Sequence, residues 1–262
     1  MSEKNRVQVL QKAIAVLEDL SNRPEPVGLT EIANATKLSK TTAYRILATF
    51  VDSNILIKDP YGRYQIGPAV VKWSASYNKR SGLLEMSRDI LEIMRDYSGE
   101  TIHLFVFESG RAYYLEKLES PSPLLMRSKV GAELPLYSTA GGKAILSALP
   151  AGQVEIYLER TPLESRTANT ITDPKELLNL FKIYKTRGYS EENQENEEGI
   201  RCVAVPIVDR NGFPLGAVSV SAPAYRFDDK QAALVGRKLA QETAKISLRI
   251  NRRHLETTKE GW

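Results

Sequence analysis

Lys40, Thr41, Thr42, Tyr44 and Arg45 crowd one short stretch of this chain and form a cationic, hydrogen-bonding set. A guanidinium pairs in a bidentate way with O6 and N7 of guanine, so Arg45 is the candidate for a base contact. Thr41, Thr42 and Tyr44 have the reach for bases or phosphates. Ser39, Lys40, Lys58 and Arg63 are candidates for phosphate contacts, which set position and not sequence. Catalytic groups are scarce by comparison. His103 lies in an apolar run and His254 in a basic tail. Cys202 has no acid or base beside it in sequence, so a small buried hydrophobe is its expected role. Paired metal-ligand spacings of the Cys-x-x-Cys or His-x-x-x-His type are absent. Gly142-Lys143 is not a phosphate loop, because Tyr137 and Ala144 stand where that motif needs glycine and a hydroxyl residue. An enzyme needs convergent reactive groups, and the sequence predicts neither catalysis nor a cofactor.

The elements that position the cationic set are legible from spacing. Leu29, Ile32, Ala33 and Thr36 share one helical face, and Lys37-Leu38-Ser39 is a tight turn. Ser39 is placed to cap a second helix through Val51, on which Ala43, Ile46, Leu47 and Phe50 fall at the spacing of a buried stripe. Lys40, Thr41, Tyr44 and Arg45 occupy the opposite face. This is the pattern of a helix-turn-helix. Ile55–Lys58 and Arg63–Ile66 around the turn at Asp59-Pro60-Tyr61-Gly62 read as the wing of a winged helix.

Charge follows the same division. Residues 1–80 hold 12 Lys+Arg against 7 Asp+Glu, whereas the whole chain holds 36 against 32. All of the excess positive charge therefore lies with the helix-turn-helix, as in a DNA-contacting module joined to a neutral one. A winged helix used for protein assembly alone would not need that asymmetry. One cysteine fits a reducing compartment, the amino terminus is polar, and no apolar run approaches the roughly 18 residues of a membrane span. A cytoplasmic protein without membrane attachment is expected.

A first helix runs over residues 6–22, and a proline-rich loop ends it. Gly67-Pro68 opens a connecting helix that leads to a basic hinge at residues 78–82. Its apolar residues, Val70, Val71 and Trp73, need a cover, either the first helix or the same helix of a second subunit. Beyond Gly82 the spacing predicts a helix to Tyr97, strands at 101–107, 111–118 and 124–130, and helices at 143–149, 153–159 and 174–187. It then predicts a strand pair at 202–208 and 215–221 and a long last helix from Asp228. The acidic run 191–198 reads as a solvated loop or a functional segment. Mixed strands and helices with a turn-linked hairpin indicate an α+β fold rather than a doubly wound sheet.

Four passages in this order resemble the IclR family of bacterial transcriptional regulators over nearly the whole chain. They are Leu38–Leu47, Leu134–Leu146, Arg187-Gly188-Tyr189, and Glu198–Ile207 with Gly216–Ser221. The resemblance implies a winged helix-turn-helix over residues 1–66, a linker helix over 67–82 and a GAF-like effector-binding domain over 83–262. It also implies dimers or dimers of dimers on inverted-repeat operators in double-stranded DNA. The effector positions it points to are Ala140, Gly141 and Gly142 at a helix start, with Glu192, Cys202, Ser219 and Ser221. Leu125 and Met126 are expected in the apolar wall. A helix start offers N–H donors to an anion, and residues two apart on a strand share a face, so Ser219 and Ser221 project together. A small carboxylate with a second oxygen, such as a 2-oxo acid, suits that set. The expected function is a ligand-responsive regulator, a repressor of a catabolic operon. The rival is a metabolic enzyme with an appended winged helix, against which the missing general base argues. Two departures from the family stand out. Lys37 occupies a turn position that is usually glycine, and Gly141-Gly142 supplies two glycines before Lys143 where one is usual.

Overall fold

The computed structural model describes residues 7–122 and 126–259, with the side chains of 80–81 and 254–259 left out. The chain divides into two compact units, Met1–Ser81 and Gly82–Trp262.

In the first unit α1 (Gln8–Ser21) precedes β1 (Val27–Gly28), α2 (Leu29–Ala35), α3 (Lys40–Asp52), β2 (Leu56–Lys58), β3 (Arg63–Ile66) and α4 (Ala69–Ser81). Val16, Leu20, Ile32, Leu47, Leu56 and Tyr64 form its core, each contributed by the apolar stripe of its element. The link between α2 and α3 has a defined geometry. Lys37 takes a φ of 55°, and the Leu38 N–H reaches back to the Ala33 carbonyl at 2.9 Å. That bond and the partly buried Leu38 side chain close a Schellman turn, which tolerates a lysine in a left-handed conformation at some cost. The Ser39 hydroxyl accepts the Thr42 N–H and caps α3. Two expectations need correction. The proline-rich segment after α1 is not all loop, because Val27 pairs with Tyr64 and makes β1 the third strand of the wing sheet. Residues 78–81 are helical rather than a hinge, and the break falls at Gly82, whose φ of 61° suits glycine.

The second unit contains α5 (Leu83–Ser98), β4 (Thr101–Glu108), β5 (Arg111–Leu118), β6 (Glu133–Leu134), α6 (Ala140–Ala148), α7 (Ala151–Arg160), α8 (Pro174–Arg187), β7 (Ser190–Asn193), β8 (Ile200–Val208), β9 (Pro214–Pro223) and α9 (Asp229–Lys259). Its antiparallel sheet has the order β6-β5-β4-β9-β8-β7. Side chains alternate between its two faces. Ile102, Leu104, Val203, Val218 and Val220 join Ile90 and Met94 of α5 and Leu239 and Ile246 of α9 in one core. Phe105, Phe107, Ala204 and Ala217 join Ile145 and Leu146 of α6 and Phe181 of α8 in the other. The architecture is α+β, an amino-terminal helix-turn-helix followed by a helix-flanked curled sheet.

The strand expected at 124–130 does not form over the described part, 126–130. Gly131 has a φ of 87° and Ala132 turns back on the Lys129 carbonyl, so the chain bends where a strand needs extension. β6 takes the place beside β5. The acidic run is not a simple solvated loop either. It opens with β7, and Glu192 and Glu195 are buried.

Candidate functional site

The face of the sheet that meets α6 changes character along its length. At one end it is apolar, with Phe107 and Ala217. Toward the other end the same alternation places polar groups there, and the register aligns them in rows. Glu192, Cys202, Ser221 and Thr101 form one cross-strand row over β7, β8, β9 and β4. Ser190, Ala204, Ser219 and His103 form the next. A cavity of about 190 Å³ lies over these rows. Glu192, Cys202, Ser219, Ser221, Ala140, Gly141 and Met126 all border it. Leu125 lies outside the described residues.

Thr139 shapes the start of α6. Its hydroxyl donates to the Pro135 carbonyl and accepts the Gly142 N–H at 3.1 Å. The first-turn N–H groups of Ala140 and Gly141 have no carbonyl one turn earlier in the helix to bond, and they belong to the residues that border the cavity. Gly142 does not border it, which corrects the expectation for that residue. A Cβ on Gly142 would stand 2.3 Å from the Leu136 Cα, and one on Gly141 would stand 2.4 Å from the Phe105 ring. The paired glycines therefore let α6 approach a neighbouring segment and the sheet closely.

Charge at the site is organised from behind. Lys143, fully buried one turn into α6, donates to both Glu195 oxygens at 2.6 and 2.7 Å. Burial raises the Glu195 carboxyl pKa while that ammonium pulls against it. The pair fixes the acidic segment, and the Glu195 and Asn196 N–H groups then donate to Glu192 Oε1 at 2.5 and 3.2 Å. Burial nevertheless pushes the Glu192 carboxyl up to about 7, those backbone bonds pulling down. Cys202 is pushed well above the usual thiol range by burial and by Glu192. The sequence showed no acid beside Cys202, but the fold brings Glu192 to it. The effect is to keep the thiol protonated, the opposite of nucleophile activation.

His103 went unassigned from sequence, yet it sits in the cavity wall. Its Nδ1 is 3.4 Å from Ser219 Oγ and 3.3 Å from Ser221 Oγ, and its Nε2 is 2.9 Å from Ser128 Oγ. Burial, with Lys117 nearby, lowers its pKa to about 3, so the ring is neutral. Phe105 and Tyr114 flank it with ring centroids at 5.9 and 5.2 Å. A signal was present in the sequence, since His103 has the same strand phase as Phe105. Pairing it with Ser219 needed the register.

In the first unit, Lys40, Thr41, Tyr44 and Arg45 are exposed on α3 while Ala43, Ile46 and Leu47 are buried. Thr42 is half-buried. Lys58 and Arg63 are exposed on the wing strands. Arg63 is already paired with Asp59 at 2.7 Å, and the Asp59 carboxylate also accepts the Tyr61 and Arg63 N–H groups of the wing turn.

These two units have known counterparts. The IclR helix-turn-helix domain matches residues 9–60, and the bacterial transcriptional regulator IclR C-terminal domain matches residues 75–248. The chain is 29% identical over 249 residues to the HTH-type transcriptional regulator KdgR of Escherichia coli K12, covering 95% of this chain and 94% of that one. It is 28% identical over 246 residues to the acetate operon repressor of Salmonella typhimurium, covering 93% and 90%. The crystal structure of the Thermotoga maritima IclR superposes with a TM-score of 0.82 at 30% identity, covering 94% of this chain and 100% of that one. These relatives are transcriptional regulators and not enzymes. With both domains matched in order over most of its length, the chain belongs to the IclR family of bacterial transcriptional regulators.

Proposed function

We propose that this regulator is a repressor of a catabolic operon, that it binds an inverted repeat as a dimer or dimer of dimers, and that a small carboxylate sets its DNA affinity. The observation that carries the effector reading is the convergence at one cavity of the α6 start with Ser219, Ser221, Cys202 and Glu192. First-turn N–H groups and hydroxyls are donors, and a carboxylate is the ligand that needs several donors at one end. Arg166 stands at the same cavity and adds a positive charge. The DNA reading is supported by the exposed Lys40, Thr41, Tyr44 and Arg45 face, with Ser39, Thr42, Lys58 and Arg63 beside it. A second copy is supported by apolar residues that one chain leaves uncovered. Leu10 is 58% and Ile14 54% exposed on α1, and Val71 is 68% and Trp73 52% exposed on α4.

The test is calorimetric titration of small oxo and hydroxy acids into the wild-type protein and into the double variant Ser219→Ala, Ser221→Ala. Loss of the hydroxyls is expected to weaken the acid that binds by at least about tenfold, at roughly 1.5 kcal/mol or more per charge-assisted bond. Operator affinity without acid is expected to stay unchanged. Equal affinity of that acid for both proteins would place the binding site elsewhere.

A further inference from the structure

The outer sides of α5 and α9 leave apolar residues uncovered in the second unit. Ile93 and Tyr97 lie one turn apart on α5, Leu234 and Leu248 lie two heptads apart on α9, and each is between 43% and 58% exposed. Seven-residue spacing keeps Leu234, Gln241 and Leu248 on one side of α9, the kind of seam along which one helix meets another. The two helices run side by side and antiparallel. The Lys238 ammonium stands 5.9 Å from the centre of the Tyr97 ring at one end, and the Arg249 guanidinium meets the Asp89 carboxylate at 2.6 and 2.7 Å nearer the other. Tyr97 and Leu234 border the same hollow, so the apolar residues of the two helices are continuous at that end. Single apolar residues are ordinary on a surface, but a patch shared by two neighbouring helices marks a contact.

Charge identifies what covers it. α9 carries eight Lys or Arg against three Asp or Glu, whereas α5 carries two against four. Lys230 and Arg237 flank Leu234 one turn to either side and have no ion-pair partner among the described residues. The same holds for Glu85 and Glu92, seven apart on α5. The face is therefore basic on one helix and acidic on the other, which makes it complementary to itself. A two-fold axis running along the helices sets α5 opposite α9 of a second copy. An axis running across them sets each helix opposite its own copy, with like charges facing. Opposite charge selects the first arrangement, and the apolar residues supply the buried area. We propose that this face joins two copies of the chain, α5 of each against α9 of the other, with Ile93 and Leu234 at its centre and Glu92 and Arg237 on its rim. It deepens the dimer-of-dimers reading above by naming a surface other than α1 and α4, and it rests on that reading for the count of four chains.

The experiment is sedimentation equilibrium of the full-length protein over a range of concentrations, with urea unfolding to confirm that each variant folds. All the substituted positions are exposed, where changes alter folding stability little. Wild type is expected to reach the mass of four 29.3 kDa chains, and Ile93→Glu with Leu234→Glu is expected to stop at two. Glu85→Lys with Glu92→Lys, and separately Lys230→Glu with Arg237→Glu, are each expected to weaken the association at least about tenfold. Joining all four charge reversals is expected to recover it to within about threefold of wild type, which happens only if the two helices face each other across the contact. A wild type of two chains that Ile93→Glu with Leu234→Glu splits into single chains would support the inference and remove α1 and α4 from the assembly. A mass unchanged by those two substitutions, or no recovery on joining the four reversals, would overturn the inference and leave the α1 and α4 reading standing. A wild type of one chain would overturn both.

Discussion

Glu192 ties the chemistry of one side chain to a measurable pH dependence. Its carboxyl titrates near 7 in the folded chain and near 4.5 when unfolded. Between those values the folded state binds the extra proton, so stability is full at low pH and declines as pH rises toward 7. Glu192→Gln keeps the acceptor for the Glu195 and Asn196 N–H groups and removes the titration. From pH 4.5 to pH 8 the stability of the glutamine variant, measured by urea unfolding, is expected to gain about 3 kcal/mol on wild type. The affinity of the wild type for an anionic effector is expected to fall as pH rises through 7, because the ionised carboxylate opposes the ligand, while that of the variant stays level. His103 acts in the opposite sense on absolute stability, because burial keeps its ring neutral in the fold down to about 3 while it takes up a proton near 6.5 when unfolded, but this contribution is common to both proteins and cancels in their difference. On α3 the residue-scale contrast is between reading and anchoring. Arg45→Ala is expected to cost roughly 1–3 kcal/mol and to relax preference at one position per half-site. Lys40→Ala is expected to weaken all sequences alike and to reduce the salt slope by about one. Binding to a single-base substitution series at two or more salt concentrations separates the two. Equal, sequence-independent losses would remove Arg45 from the reading role.

At the scale of elements, α6 and the turn that follows β7 are joined by a buried ion pair, Lys143 with Glu195. Lys143 is fully buried and the Glu195 side chain is 9% exposed. Two charges in the interior contribute little net stability against an apolar pair of the same volume, but removing one leaves the other uncompensated. Lys143→Met is therefore expected to cost about 3 kcal/mol or more in chemical denaturation. Lys143→Met combined with Glu195→Leu is expected to recover most of that loss. The double variant should still bind effector more weakly, because the Glu195 and Asn196 N–H groups that orient Glu192 would no longer be pinned by α6. Wild-type effector affinity in that double variant would refute the positioning role. α6 itself owes its place to two glycines and a threonine cap. Gly141 admits the Phe105 ring, Gly142 admits the Leu136 backbone, and Thr139 closes the first turn.

At the scale of the molecule, the two units have separate cores, one from α1, α2, α3 and the wing, the other on both faces of the larger sheet. A fragment spanning residues 82–262 is expected to fold cooperatively and to bind the same acid with unchanged affinity, since every residue that borders the cavity lies within it. It is expected to have no operator affinity. An unfolded fragment, or one that binds the acid at least tenfold more weakly, would show that the amino-terminal unit completes the pocket. For the effector to act on DNA, it must bind the DNA-competent and DNA-incompetent states unequally. Operator titrations of the full chain with and without saturating acid measure that difference directly.

Period and punctuation alone determined much of this protein. The 3.6-residue stripe on α3, the Ser39 cap and the Asp59–Gly62 turn specify the winged helix, because capping, amphipathic spacing and turn chemistry are local. The Asp173-Pro174 start and the Gly188 stop bound α8 for the same reason. Alternation placed Ser219 and Ser221 on one strand face. The order of four sequence passages carried the family. Other features were decided only by the tertiary structure. Register is a non-local property, and it alone sets His103 beside Ser219 and Glu192 beside Cys202. The burial of Glu192 and Glu195 decided between the two readings that sequence left open for the acidic run, since a charge is kept inside only when a distant partner such as Lys143 and backbone donors meet it. Leu124–Val130 had the composition of a strand, but over its described part it forms no ladder and the chain bends at Lys129–Ala132, and two-residue β1 was too short to carry a periodic signal. The resemblance makes Gly142 an effector position, and only packing reveals that its missing side chain makes room for Leu136.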